Sequence, residues 1–280
     1  MKFIKISFLV CLLFCSSLYA MPSLVCAKWL SQNYSNPDLV IVDVRKPALY
    51  KQGHLKHAVN VPVFKDLFDT SNGYKIPKLD FLQKVFSDAG IDNKSKVVVY
   101  GDNELIWAAR FFWISKVLGH DEVALLKVGY GNWKKGMLQI SKKEYKAKPT
   151  KFIPRINSSI METKLSTMLA INKDVIIDGR PAAYYNGLKS HAKRFGHIPS
   201  ALNYAGIQNY DVNGSGMKSL AQLKKIYKNL PKDKKVILYC EDGADAALNF
   251  LVLKELGYDA SVYDGSWLEW GNDFNLPIEK

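Results

Sequence analysis

The chain has 280 residues and a formal net charge of +13; 48% of it is apolar and 23% charged. That balance excludes a collagen, a disordered chain and a coiled coil, and four cysteines are too few for a disulfide-stapled scaffold. The lysines are spread along the whole chain rather than gathered in one arm, which reads as a solvated basic surface and not as a nucleic-acid face.

Residues 1–20 carry a targeting pattern. Lys2 and Lys5 precede an apolar run from Phe8 to Phe14, followed by Ser16, Ser17 and Ala20. A positive start, a short apolar run and small residues after it make a secretory signal, and the run is short for a membrane span. The expectation is export, to the periplasm, with cleavage after Ala20 and no stable membrane insertion afterwards. Leu18 sits awkwardly for that cut, and an uncleaved anchor stays open. Bulky Val10 and Phe14 argue against lipid attachment at Cys11 or Cys15. Processing leaves Cys26 and Cys240, either as one disulfide or as two free thiols.

The rest of the chain contains one unit twice. Leu39 to Arg45 reads as a buried strand ending Asp43-Val-Arg45, followed by Tyr50 and by Gly53-His54 up to Asn60. Val175 to Arg180 repeats it with Asp178-Gly-Arg180, then Tyr185 and Gly196-His197 up to Asn203. Lys96 to Gly101 matches Lys235 to Cys240, and Leu118-Gly119 matches Leu256-Gly257. Each copy closes on a glycine turn with tryptophan, Gly129 to Trp133 and Asp264 to Trp270. Runs such as Val175–Ile177 and Val236–Leu238 are short and continuously apolar, as strands buried on both faces of a parallel sheet are. Between them lie helical rhythms. Ala246, Phe250, Leu253 and Leu256 mark one amphipathic helix that Gly257 can stop. Strand, helix, strand at this pitch predicts an α/β fold with helices on both faces of a mainly parallel sheet. Met137 to Ile160 is polar and lysine-rich, with Pro149 and Pro154, and reads as the connection between the copies.

These motifs, in this order and twice over, resemble the rhodanese family, in particular the tandem thiosulfate and 3-mercaptopyruvate sulfurtransferases. The resemblance implies an N-terminal rhodanese-like domain at 21–145, a linker at 146–160 and a C-terminal one at 161–280. It also implies that the second copy is catalytic through Cys240, while Gly101 takes the matching place in a silent first copy. Sulfur transfer needs a nucleophile that can hold a sulfur as a persulfide, and a thiolate does this well. Cys240 lies between a strand and a helix start, where backbone N–H groups and the helix dipole favour an anion. Glu241, Asp242, Gly243, Ala244, Asp245 and Ala246 are expected to form an amide cradle around the sulfur, and Gly243 lets the loop curl. A phosphatase of related architecture would need an arginine where Ala246 stands.

The chain departs from the family in its loop. Thiosulfate-using members carry basic residues directly after the cysteine, where this chain has Glu241 and Asp242, and an arginine where it has Tyr184. Mercaptopyruvate-type loops carry a hydroxyl near the sulfur, and none is present here. The carboxylates should raise the Cys240 pKa and repel a dianion such as thiosulfate. Lys189, His191, Lys193 and Arg194 are candidates for replacement basic groups, with Arg180 and Tyr184 among the substrate-side candidates. In the family the Asp-x-Arg pair ties loops together, which is the main role expected of Arg180 with Asp178 and of Arg45 with Asp43. His54 and His197 are expected to be structural, and Trp267, Glu269 and Trp270 to close the domain beside the loop.

No spacing suggests a metal or a nucleotide, so no cofactor is implied. The expected activity is an exported sulfurtransferase, taking sulfane sulfur from a small-molecule or protein donor to a thiol acceptor, as a monomer. The alternatives are a catalytically silent rhodanese-fold scaffold and a thiol-redox protein using Cys26 and Cys240.

Overall fold

The computed structural model describes residues 21–132, 137–211 and 216–280. The expected signal at 1–20 and Trp133 lie outside the described residues.

The first copy runs β1 (Leu24–Val25), α1 (Ala27–Asn33), β2 (Leu39–Asp43), α2 (Pro47–Gln52), β3 (His54–Leu55), β4 (Ala58–Asn60), α3 (Val63–Asp66), α4 (Leu79–Asp88), β5 (Lys96–Tyr100), α5 (Ile106–Val117), β6 (Val123–Leu126) and β7 (Ile140–Ser141). The second runs β8 (Met161–Glu162), α6 (Lys164–Ala170), β9 (Val175–Asp178), α7 (Ala182–Tyr185), β10 (Leu202–Asn203), α8 (Leu220–Ile226), β11 (Val236–Tyr239), α9 (Ala244–Glu255), β12 (Ala260–Tyr263) and α10 (Ser266–Trp270). Each copy builds a five-stranded parallel sheet, in the order β1-β6-β5-β2-β4 and, equivalently, β8-β12-β11-β9-β10. The registers correspond: Asp43 faces Tyr100 and Asn60, and Asp178 faces Tyr239 and Asn203. The central strands are apolar along their length because helices cover both faces.

The same polar network closes both strand ends. Arg45 grips Asp43 through Nε and Nη2, and its Nη2 also donates to the Gly53 carbonyl at 2.7 Å. Arg180 does the same to Asp178 and to the Gly196 carbonyl. Tyr100 donates to Asp43 at 2.6 Å, and Tyr239 to Asp178 at 2.8 Å. His54 stacks on Tyr50 and meets its carbonyl through Nδ1, as His197 does with Tyr185. Both histidines are buried and structural, as expected.

The two copies share one core. α5 and α9 pack against each other, and Phe111, Phe112, Trp113, Leu248, Phe250 and Leu251 belong to a single apolar cluster. This explains a departure from expectation: α9 is not amphipathic but buried almost all round, from Ala244 to Leu253. A helix between two sheets has no solvent face to leave polar. The connection differs too. Ile140–Ser141 forms an antiparallel pair with β3. The stretch beyond is tied to the first copy, with Thr150 N donating to the Ser87 carbonyl, Arg155 N to Leu118, and Phe152 fully buried. A polar, lysine-rich segment can still be fixed when its backbone groups find partners.

Candidate active site

Strand β11 ends at Tyr239, and α9 begins at Ala244. The intervening turn folds back on the Cys240 side chain. Gly243 has φ of +91° and its N–H donates to Cys240 Sγ at 3.1 Å. The amides of Asp242 and Ala246 also favour the anionic form of the sulfur. Ala244 departs from the expected cradle: its N–H donates to Asp242 Oδ1 at 3.2 Å, closing an Asx-type turn just before α9. The same oxygen lies 3.9 Å from Sγ, where it can accept the thiol proton.

The turn after β12 holds this loop from outside. Trp267 N donates to the Cys240 carbonyl at 2.9 Å and Leu268 N to the Glu241 carbonyl at 3.0 Å. Cys240 N donates to Ser266 Oγ, and Ser266 itself sits at φ +49°. The expectation that Trp267 closes the domain beside the loop is met directly; its ring also carries the Arg180 guanidinium, 4.4 Å from the centroid.

The electrostatics oppose ionisation of the sulfur. Burial first, then the Asp242 and Asp245 carboxylates, push the Cys240 thiol well above its ordinary value, while the amides of Ala246 and Asp242 pull it back. Burial raises Glu241 above the usual carboxylate range, and Arg180 opposes this, its Nη1 lying 3.6 Å from Glu241 Oε2. Asp245 is pushed up to about 7, by burial and then by Asp242, Glu104 and Asp178. Its carboxylate rests against Gly206, where a Cβ would come within 2.2 Å of Oδ1. Asp245 lines a crevice of about 610 Å³ between the copies, together with Glu104, Ile106, Pro181, Tyr210 and Lys218.

A rhodanese-like domain model matches the chain twice, at residues 27–136 and 161–273. The chain belongs to the rhodanese family. A thiosulfate sulfurtransferase of Corynebacterium glutamicum is 32% identical, over 93% of this chain and 92% of that one. The sulfur carrier protein TtuD of Thermus thermophilus is 30% identical, over 94% and 98%. The crystal structure of SseA from Escherichia coli, presented as the rhodanese fold of a 3-mercaptopyruvate sulfotransferase, superposes with a TM-score of 0.79 at 26% identity, covering 88% of this chain and 99% of that one. On this similarity the present chain is an enzyme of the sulfurtransferase class.

Within the rhodanese frame Tyr184, His191 and Arg194 are bonded to partners other than the sulfur. Tyr184 meets His191, hydroxyl to Nε2 at 3.1 Å, and the His191 N–H donates to Glu241 Oε1 at 3.3 Å. Arg194 commits its guanidinium to the carbonyls of Trp270, Gly271, Asp273 and Leu276, so it fixes the C-terminal turn and is no replacement for a loop cation. Lys193 offers its backbone N–H to Asn272. Cys26 is exposed and Cys240 buried, both as free thiols, so the disulfide left open by the sequence is not formed. No cluster of metal-binding side chains occurs among the described residues. In the first copy Gly101 leaves a hollow of about 470 Å³ where the sulfur would stand, bordered by Arg45, Asp102 and Trp107.

The sequence reading missed the partners of the closing turn. Asp264 receives Arg110 Nη1 at 2.7 Å and Ile76 N at 2.7 Å, and Glu269 receives Lys75 Nζ at 2.7 Å. All three donors come from the first copy. A signal was present in Arg110 itself, a lone charge in the otherwise apolar run from Ile106 to Ile114.

Proposed function

We propose that the protein transfers sulfane sulfur through a persulfide on Cys240 and does so outside the cytoplasm. The Cys240 thiolate attacks the outer sulfur of a donor, forming a new S–S bond. The bond joining that sulfur to the rest of the donor breaks, and the rest leaves with the electron pair. An acceptor thiolate then attacks the outer sulfur of the persulfide and releases Cys240 as a thiolate. The observation that carries this reading is the placement of Cys240 at the turn from β11 into α9, with the Gly243 N–H donating to Sγ. Such donors stabilise an anionic sulfur before and after loading.

The donor is less anionic than thiosulfate, namely an uncharged or singly charged persulfide, small or protein-borne. Glu241, Asp242 and Asp245 ring the position that thiosulfate-using relatives make basic, and a dianion entering there meets repulsion. Relatives named thiosulfate sulfurtransferase favour thiosulfate instead, and a relative named sulfur carrier protein is neutral on the donor, so the charges of the loop carry this choice. The test is sulfur delivery to an acceptor thiol from thiosulfate and from a low-molecular-weight persulfide, with Cys240→Ala as control. Faster transfer from the persulfide, abolished in the variant, supports the reading. Preference for thiosulfate overturns the donor class, and undiminished transfer by the variant overturns the role of Cys240. The external location rests on the pattern at 1–20; recovery of the intact N-terminus from the cytoplasmic fraction would contradict it.

A second reading has one observation in its favour. Cys240 is fully buried with its thiol pushed up, which suits a silent scaffold. A scaffold gains no sulfur from either donor.

A further inference from the structure

We infer that Arg110, contributed by the copy that lacks the cysteine, is a positioning residue for the sulfur-binding loop of the other copy. Arg110 lies on α5 and is fully buried. Its Nη1 donates to Asp264 Oδ1 at 2.7 Å and its Nη2 to the Tyr74 carbonyl at 3.4 Å, while the guanidinium lies over Phe68, 4.6 Å from the ring centroid. The same Nη1 stands 2.6 Å from where a Cβ on Gly243 would be. Arg110 therefore touches the one residue whose left-handed backbone turns its N–H onto Cys240 Sγ.

Two routes run from Arg110 to the sulfur. One is direct, through the face of Gly243. The other passes through Asp264, the first residue of the closing turn, whose Ser266 hydroxyl, Trp267 N–H and Leu268 N–H hold Cys240 and Glu241. Ile76 N on Asp264 and Lys75 Nζ on Glu269 add two more ties from the first copy to the same turn. The closing turn holds Ser266 at φ +49°, a costly backbone for a residue other than glycine, which keeps its shape only when its surroundings fix it. Here the fixing groups are the Arg110 and Lys75 side chains and the Ile76 amide of the copy that lacks the cysteine. That copy thereby acquires a definite role. Its own strand end lost the nucleophile, but its helix and its 74–76 segment set the geometry of the neighbour's anion site.

The positioning role rests on the sulfurtransferase reading for its purpose but not for its test. The test is the pH profile of Cys240 alkylation by iodoacetamide in the full chain, with Cys26→Ser as the background so that one thiol reports. The groups facing Cys240 are Asp242 and Asp245 from its own loop and α9, Glu241 with Arg180 beside it, and Arg110 through Gly243. Arg110→Met should move the profile to higher pH, slowing alkylation at neutral pH by about tenfold, one pKa unit, as the Gly243 amide turns off the sulfur. Arg110→Lys should fall between. A merely structural Arg110 lowers the melting temperature and leaves the profile where it was, and that result overturns the inference. Should Arg110→Met fail to fold, Arg110→Lys carries the same test, because a single ammonium cannot bridge Asp264 and the Tyr74 carbonyl as the fork does. An unmoved profile in that variant likewise overturns it. Failure of sulfur transfer with a shifted profile would sink the activity and spare the positioning role.

Discussion

Asp242→Asn isolates the charge that the loop places against the Cys240 thiol. The carboxylate Oδ1 is 3.9 Å from Cys240 Sγ and also accepts the Ala244 N–H. Asparagine can accept the same N–H two residues on, so the change removes the charge and leaves that turn. Two unit charges about 4 Å apart interact by about 4 kcal/mol at the effective dielectric of a protein surface, a ceiling near 3 pKa units. Asp242 is only half-buried, and solvent screens part of this, so the expected fall is about 1–2 units. The sign is fixed: a neighbouring anion disfavours the thiolate, so its loss lowers the Cys240 pKa. At neutral pH the thiolate fraction should rise by about tenfold to a hundredfold. Alkylation rate against pH, in the Cys26→Ser background, reads this directly. A midpoint that stays put or climbs would refute the electrostatic account, and would mean that burial alone holds the thiol neutral.

Tyr239→Phe should cost about 1–3 kcal/mol in urea unfolding, because it leaves the Ile198 N–H and one Asp178 oxygen without their buried partner; a loss below about 0.5 kcal/mol would show that water or a shifted side chain takes over. Asp245 is raised to about 7, so the folded state holds its proton over a range where the unfolded chain has lost it. Its contribution to stability is full below about pH 4, is lost progressively as pH rises to about 7, and changes little above that. Asp245→Asn should therefore stabilise the protein more at pH 8 than at pH 5, by on the order of 1–2 kcal/mol, and an equal effect at both values would contradict the burial of that carboxyl.

The duplicated fold was readable because its network is local in sequence. Asp43 and Arg45, or Asp178 and Arg180, are two residues apart, and the tyrosine that completes each network sits at the next strand end. Spacing of that kind survives the insertion of loops. The position of Cys240 at a strand-to-helix turn was readable for the same reason, since strand, cysteine and glycine turn are contiguous. The brace was not. Arg110 and Asp264 are separated by 154 positions, and no periodicity links a charge on one helix to a turn in the other copy. Of the replacement cations sought at 189–194, Arg194 is already committed. That segment is rich in basic residues, but its arginine is taken up by carbonyls of the C-terminal turn, where unpaired backbone acceptors outcompete a distant anion. The helical rhythm around Ala246 to Leu256 was right in kind, yet it understated the burial, because a helix shared by two domains is apolar on both sides.

The central claim is that Cys240 accepts one sulfur atom and gives it up to a thiol. Intact mass of the full chain after incubation with a persulfide donor, with peptide mapping, tests this most directly. The account predicts a gain of one sulfur on the peptide containing Cys240, removed by an acceptor thiol and absent in Cys240→Ala. An unchanged mass, or a gain confined to Cys26, would contradict it.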